Sequence, residues 1–540
     1  MSLSRTPDVS VIVPVYNGAQ YLQRALASVL HQTIGLARMQ VLIVDDGSTD
    51  DSPAMLDRMA QENPSFEVIH RPNSSGGPAT PRNVALGRVE GRYIFFLDQD
   101  DYLSPDALEA MVRIADENGT DVVLARMKGA GGRVTPRPMF ARSVQRTDVF
   151  STPSVYRLLN PIKLFRTEMV RSLDLRFRPD FQIGEDQPFV AMAYLKGNGI
   201  SILADKDYIF WVNREDGSNI TRSALALADR LPAASYMVDL VAENVPPGPD
   251  RDALMVRHFH IELVYYAFAA WSTEPDPAAR AAAFERFREI VAAYYTDRIK
   301  AGLPARARVL IQLVSEGRQD AFAEYLAALA HAPDPDPLVI EGERVFIALP
   351  WFRDPTRGLP DELFDASAGL VVYRRVQPLE IGRDGVRLTA VCRLGVLTDR
   401  ITGVSLVARS RATGIERVFP LPFEVTFEEA LPFVRVEGTI PAGQLLAMPE
   451  DETCDLWLRV AAGDTWRRCR VAECAPTSGL RILRNRGRDG GAPYGVLGTN
   501  PAGYLFLTAM SGPTLARRVL KRFRRSIGRD VRARLGKADA

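Results

Sequence analysis

Short apolar runs that end in carboxylates alternate with stretches of helical period from Val9 to Asp101. Val9-Ser10-Val11-Ile12-Val13-Pro14-Val15 is β-branched and reads as a buried strand, and Pro14, which cannot donate to a sheet ladder, sets its end. Leu22, Ala25, Leu26, Val29 and Leu30 then recur at three-to-four spacing, the mark of an amphipathic helix. Val41-Leu42-Ile43-Val44 is a second buried strand, closed by Asp45-Asp46-Gly47-Ser48. Tyr93 to Leu97 is another, closed by Asp98-Gln99-Asp100-Asp101. Alternation of this kind predicts a mostly parallel sheet covered by helices on both faces.

The pattern changes twice further on. From about 222 to 330 the chain is rich in Ala and Leu with helical period, as in Leu254–Trp271 and Ala281–Tyr295. His331-Ala332-Pro333-Asp334-Pro335-Asp336-Pro337 closes that region as a stiff joint. Beyond it the period falls to two. Strands are expected at 345–349, 370–376, 386–394, 404–410, 415–419, 433–440, 455–460 and 465–471, with hairpin turns at Asp384-Gly385 and Gly463-Asp464. Short strands at this spacing predict an antiparallel β-sandwich.

The carboxylates at the strand ends are the first candidate chemistry. Asp98 and Asp100 are two apart, so they point to one side about 6.6 Å from each other. Open α/β sheets bind ligands at that edge. Two hard oxygen donors there suit Mn²⁺ or Mg²⁺ carrying a diphosphate. Taken alone, the cluster reads equally as an acidic turn before the helix that Ser104-Pro105 begins.

VSVIVPVYNG, VLIVDDGSTDDS, GGPATPRNVAL and IFFLDQDDYL occur in that order over about 100 residues. Together they resemble the GT-A fold of family 2 glycosyltransferases. The resemblance implies a UDP-sugar donor, a divalent cation and inversion at the anomeric carbon. It places Pro14 and Tyr16 against the uracil, where an aromatic face stacks on a base. Asp46 matches the carboxylate that accepts the uracil N–H, while Asp45 is either a partner or a structural turn residue. Asn73 and Arg82 match positions that reach the uridine and the diphosphate, for which the planar guanidinium is suited. Asp98 then touches ribose or metal, and Asp100 is the main metal ligand. Phe181-Gln182-Ile183-Gly184-Glu185-Asp186-Gln187 resembles the family's Glu-Asp motif, which implies that Asp186 is the general base and that Glu185 binds the acceptor or orients Asp186. The same pair also reads as an N-cap for a helix starting near Pro188. Arg214 and Ser218 fall in a Gly-Ser-Asn loop shaped for anion contact, matching a loop that closes on the diphosphate or on an acceptor phosphate.

A catalytic GT-A domain (1–221), a helical linker (222–337), an immunoglobulin-like sandwich (338–476) and a C-terminal extension (477–540) resemble the bacterial transferases that glycosylate wall teichoic acid. That implies transfer of a sugar, N-acetylglucosamine in those enzymes, to a polyol-phosphate polymer, with homo-oligomerisation through the C-terminal domain. A capsular or exopolysaccharide transferase and, in a different class, a non-catalytic glycan-binding protein are the competing readings. Three intact carboxylates in catalytic positions argue against the binder.

Composition adds constraints. At 46% hydrophobic and 25% charged the 540-residue chain is globular and long enough for two or three domains. The net charge of +1 conceals ten Lys/Arg against two Asp/Glu from Arg517 on, and 57 basic against 64 acidic residues before it. Leu515, Val519, Phe523 and Ile527 run through that basic tail, which suits an anionic membrane surface. No nucleic-acid recognition motif accompanies the charge. Cys392, Cys454, Cys469 and Cys474 form no CxxC pair, and a Cys454–Cys469 disulfide stays open. His258 and His260 lie two apart on a helix and read as structural. No signal peptide and no spanning apolar run are evident, so a cytoplasmic protein is expected, with the tail on the inner membrane face.

Overall fold

The computed structural model describes residues 6–131, 133, 135, 138–214, 226–333, 336–341, 344–370, 372–382, 385–428, 431–463, 465–471, 481–484, 494–499, 504–511 and 513–515. Ser218, Asp384, Asp464, Cys474 and the basic tail from Arg517 lie outside them. The chain divides into two compact units, residues 1–336 with 349–364, and residues 337–348 with 365–540.

In the first unit the elements run β1 (Val9–Val15), α1 (Ala19–Leu30), β2 (Met39–Asp45), α2 (Ser52–Glu62), β3 (Phe66–His70), α3 (Ala79–Leu86), β4 (Tyr93–Phe96), β5 (Tyr102–Leu103), α4 (Ala107–Asn118), β6 (Val122–Ala125), β7 (Met127–Ala130), β8 (Val144–Thr147), β9 (Leu164–Arg166), α5 (Thr167–Ser172), α6 (Gln187–Lys196), β10 (Ile200–Leu203) and β11 (Ile209–Val212). The main sheet has the order β3-β2-β1-β4-β9-β6-β10-β8. Its β3-β2-β1-β4 half is parallel, as the alternation predicts, whereas β9 inserts antiparallel between β4 and β6. All seven residues of β1 are buried, because β2 and β4 flank it and helices cover both faces. The chain leaves β1 to one side and returns on the other at β4. The ends of these two strands therefore form the switch point at which such sheets bind ligands.

The helical region follows as α7 (Leu227–Asn244), α8 (Pro249–His258), α9 (Phe268–Thr273), α10 (Pro277–Tyr294), α11 (Asp297–Gly302), α12 (Ala305–Ser315) and α13 (Gln319–Ala330). Between α8 and α9, Phe259–Ala267 is wound as a π-helix. Such segments are rare and concentrate at functional sites. No helix among the described residues is long and apolar enough to cross a membrane.

The second unit contains a hairpin, Leu338–Glu341 with Arg344–Ile347, and two antiparallel sheets of five and seven strands that share one apolar core. The sheets extend past the expected boundary at 476, since Arg481–Arg484, Tyr494–Thr499 and Leu505–Met510 continue the larger one. Glycines explain why those strands escape a period-two reading. A Cβ at Gly495 would lie 2.5 Å from the tip of Leu446, and one at Gly498 would lie 2.6 Å from the tip of Phe506, so those side chains pack directly over the glycines. Cys454 is a free thiol packed 3.7 Å from the Met448 sulfur, so the Cys454–Cys469 disulfide does not form.

Candidate functional site

A cavity of about 940 Å³ opens at the ends of β1 and β4 and is walled on its far side by α7, α8 and the π-helix. Its size suits a nucleotide-sized ligand with room beside it. Pro14, Tyr16, Asp46, Arg82, Asp98, Asp100, Glu185, Asp186 and Arg214 all line it. Asn73 does not. Its side chain is exposed, and its backbone packs where a Cβ on Gly47 would approach within 2.7 Å, so Ser74 lines the cavity instead.

Tyr16 is presented by an unusual clamp. The Gln99 Nε2 donates to the Tyr16 carbonyl at 3.0 Å and the Tyr16 N–H donates back to Oε1 at 2.9 Å. Gln99 lies between Asp98 and Asp100 in the chain, so one short segment fixes the Tyr16 backbone and supplies two carboxylates to the cavity. Gly18 is required beside it, since a Cβ there would sit 2.3 Å from the Gln99 amide oxygen.

The two aspartates after β2 divide their roles. Asp45 turns to the protein, accepting from His70 Nδ1 at 2.8 Å and from the Ser48 N–H at 3.0 Å. That contact holds the His70 imidazole above its ordinary pKa. Asp46 faces the cavity, where it pairs with Arg71 and accepts from the Ser75 N–H at 2.7 Å.

Arginines occupy the next layer. The guanidinium of Arg82, buried in α3, donates to Asp98 at 2.7 Å and to Glu185 at 2.9 Å. It ties the carboxylate after β4 to the motif before α6, rather than standing free for a diphosphate. The Arg214 Nε meets Asp100 at 2.7 Å. Asp101 is buried, accepts from the Val212 N–H at 2.8 Å, and has its pKa pushed up by burial and by the charges of Asp98 and Asp100. Its second oxygen has no partner.

Asp186 sits at the N-cap position of α6, but its side chain makes no capping hydrogen bond. Burial, reinforced by the charge of Glu185, pushes its pKa up to about 8. Burial also raises Glu185, against the pull of Arg82. Such a carboxyl takes a proton only through its ionised fraction, which grows as the pH rises toward 8.

The donor set also fits a divalent cation. Asp98 and Asp100 present hard oxygens of the kind Mn²⁺ and Mg²⁺ prefer, and an orphaned carboxylate oxygen of Asp101 lies behind them. No cluster of three or more ligating side chains occurs among the described residues. An ion there would therefore complete its shell from a substrate diphosphate and water, the usual habit of Mg²⁺.

The sequence reading missed the far wall. Arg157, Arg230, Arg257 and Tyr266 also line the cavity, and no local motif marks them.

The glycosyl transferase family 2 profile matches residues 10–174, and the glycosyl transferase TarS linker domain profile matches residues 231–326. This chain carries a family 2 glycosyltransferase domain. Poly(ribitol-phosphate) beta-N-acetylglucosaminyltransferase TarS of Staphylococcus aureus is 36% identical over 206 residues, which is 38% of this chain and 36% of that protein. Poly(ribitol-phosphate) beta-glucosyltransferase of Bacillus spizizenii is 35% identical over 213 residues, 39% of this chain and 33% of that protein. The match thus spans about a third of these curated relatives. The crystal structure of S. aureus TarS superposes with a TM-score of 0.57 at 20% identity, covering 94% of this chain and 86% of that one. Residues 1–349 of TarS in complex with UDP-GlcNAc give 0.55 at 24% identity, covering 65% and 98%. These likenesses establish a shared fold: a glycosyltransferase domain, a helical linker and C-terminal antiparallel sheets.

Proposed function

We propose that this protein is an inverting glycosyltransferase that moves a sugar from a UDP-sugar to a hydroxyl of a polyol-phosphate polymer. The observation that carries the reading is the joining, in one cavity, of Tyr16, Asp46, Asp98 and Asp100 at the sheet edge with the buried Glu185-Asp186 pair opposite. The relatives named above act on poly(ribitol-phosphate), one with N-acetylglucosamine and one with glucose. N-acetylglucosamine is the donor sugar favoured here.

The uracil stacks on Tyr16 and its N–H meets Asp46. Asp98 and Asp100 would hold Mn²⁺ or Mg²⁺, which would supply positive charge against the diphosphate. Asp186 takes the proton of the acceptor hydroxyl as that oxygen bonds to the anomeric carbon. The carbon–phosphate-oxygen bond breaks on the opposite face, and UDP leaves with the bonding electrons. Glu185 orients the acceptor, and Arg82 fixes Glu185 relative to Asp98. Holding the reactants in line supplies much of the rate.

Two measurements bear on this. UDP release from a panel of UDP-sugars, with Mn²⁺ and with or without EDTA, is expected for one or two sugars, is stopped by EDTA, and is accelerated by added poly(ribitol-phosphate). No release with any UDP-sugar, polymer present, would refute the reading. The second is the pH profile. Only deprotonated Asp186 accepts a proton, so with its pKa near 8 the transfer rate rises about tenfold per unit below that pH and levels above it. An Asp186→Asn variant that keeps the parent's rate and pH profile removes Asp186 as the base.

A further inference from the structure

The cations around the cavity are not equivalent. Arg82, Arg214 and Arg257 each meet a carboxylate: Asp98 with Glu185, Asp100, and Glu262 at 2.5 Å. Arg257 is further committed to Gln187 at 3.3 Å. Arg230 is different. It projects from α7 into the cavity wall, is only 7% exposed, and forms no ion pair or hydrogen bond among the described residues. Its contact is the ring of Tyr266, 4.2 Å from the guanidinium carbon. Burial pulls its pKa down. The carboxylate that acts on it is Asp229, its chain neighbour, whereas Glu262, on the same cavity, is held by Arg257 and by His258 at 3.0 Å. Arg157, exposed on the same cavity, also pairs with no carboxylate among the described residues.

A guanidinium that faces the cavity without a counter-ion is a ready partner for an arriving anion. Its planar fork matches a phosphate better than any other common anion except carboxylate. Its place says which phosphate. α6, whose first turn follows Asp186, packs on α7, so Arg230 belongs to the base side of the cavity. The sheet edge, with Asp98 and Asp100, belongs to the donor.

We infer that Arg230, assisted by Arg157 and backed by the Tyr266 ring, is the subsite for a phosphodiester of the acceptor, and sets which hydroxyl of the adjoining polyol reaches Asp186. This rests on the function proposed above. It makes the protein selective for phosphodiester-linked polymers over neutral glycans through a buried cation.

The test is titration of the full chain with a ribitol-phosphate oligomer by calorimetry, with UDP titrated separately, together with initial rates at varied oligomer. Arg230→Met is expected to weaken oligomer binding and raise its KM about tenfold to a hundredfold, the size of a lost charged hydrogen bond. UDP affinity stays at the parent value. Arg230→Lys restores part of the loss, and Arg157→Gln, at an exposed position that does not threaten folding, gives a smaller effect in the same direction. Unchanged oligomer binding in Arg230→Met overturns the inference. So does a loss of UDP affinity with oligomer binding intact, which would put the guanidinium on the donor. If the parent binds the oligomer through Arg230 but transfers no sugar to it, the proposed function fails while the subsite stands.

Discussion

Asp186→Asn is expected to lower transfer by about 10²–10⁴-fold, the usual share of general-base catalysis, while UDP binds as tightly as to the parent. The side chain caps no helix N–H, so the substitution removes no structural hydrogen bond of that kind. It also replaces a buried carboxyl, whose charged form is disfavoured beside Glu185, by a neutral isostere. Thermal stability should therefore hold or rise slightly as activity collapses. That combination separates a base from a structural cap, because loss of a cap would cost about 1 kcal/mol and leave turnover largely intact. Single-turnover rates with calorimetric UDP binding and a melting curve decide it. Parent-like turnover removes Asp186 from the mechanism.

The second large effect falls on stability. Arg82→Met strips the shared guanidinium from Asp98 and Glu185. Breaking a buried pair by deleting one partner costs about 3–5 kcal/mol, because the remaining charge is stranded. Asp98 is about a third exposed, so most of the cost comes from Glu185. A denaturant melt of Arg82→Met should lose about 3 kcal/mol, and Glu185→Gln in the same chain should recover part of it. Equal losses with and without Glu185→Gln would show that Arg82 acts through packing alone, for instance against the Phe177 ring 5.1 Å away.

The donor edge was legible because its residues are close in sequence. Asp98, Gln99 and Asp100 are consecutive and directly follow an apolar run, although β4 ends at Phe96 and they lie in the turn beyond it rather than on the strand. The Asp45–Asp46 division was not, since it depends on His70, which only the pairing of β2 with β3 brings alongside. The antiparallel insertion of β9 was equally hidden, as three residues are too few to show a period. Arg157, Arg230 and Arg257 come from separate segments and converge only in the folded chain. Each looks like an ordinary solvated arginine on its own helix or turn. In the second half most strands with alternating side chains were visible; Phe423–Glu428 was passed over although it alternates, and the glycine-bearing Tyr494–Thr499 shows no such alternation.

The proline-bearing joint near 333–337 looks in the sequence like the place to cut the chain in two. The division of the fold says otherwise. Residues 337–348 belong to the second unit, yet 349–364 return to the first, where Trp351 lies 4.9 Å from the Tyr325 ring, Arg357 pairs with Glu324 at 2.7 Å, and Leu363 and Phe364 are fully buried. A shortened protein ending at the joint would be missing part of its own core. Any separable catalytic fragment has to run on to Phe364 and carry the intervening hairpin with it as a passenger.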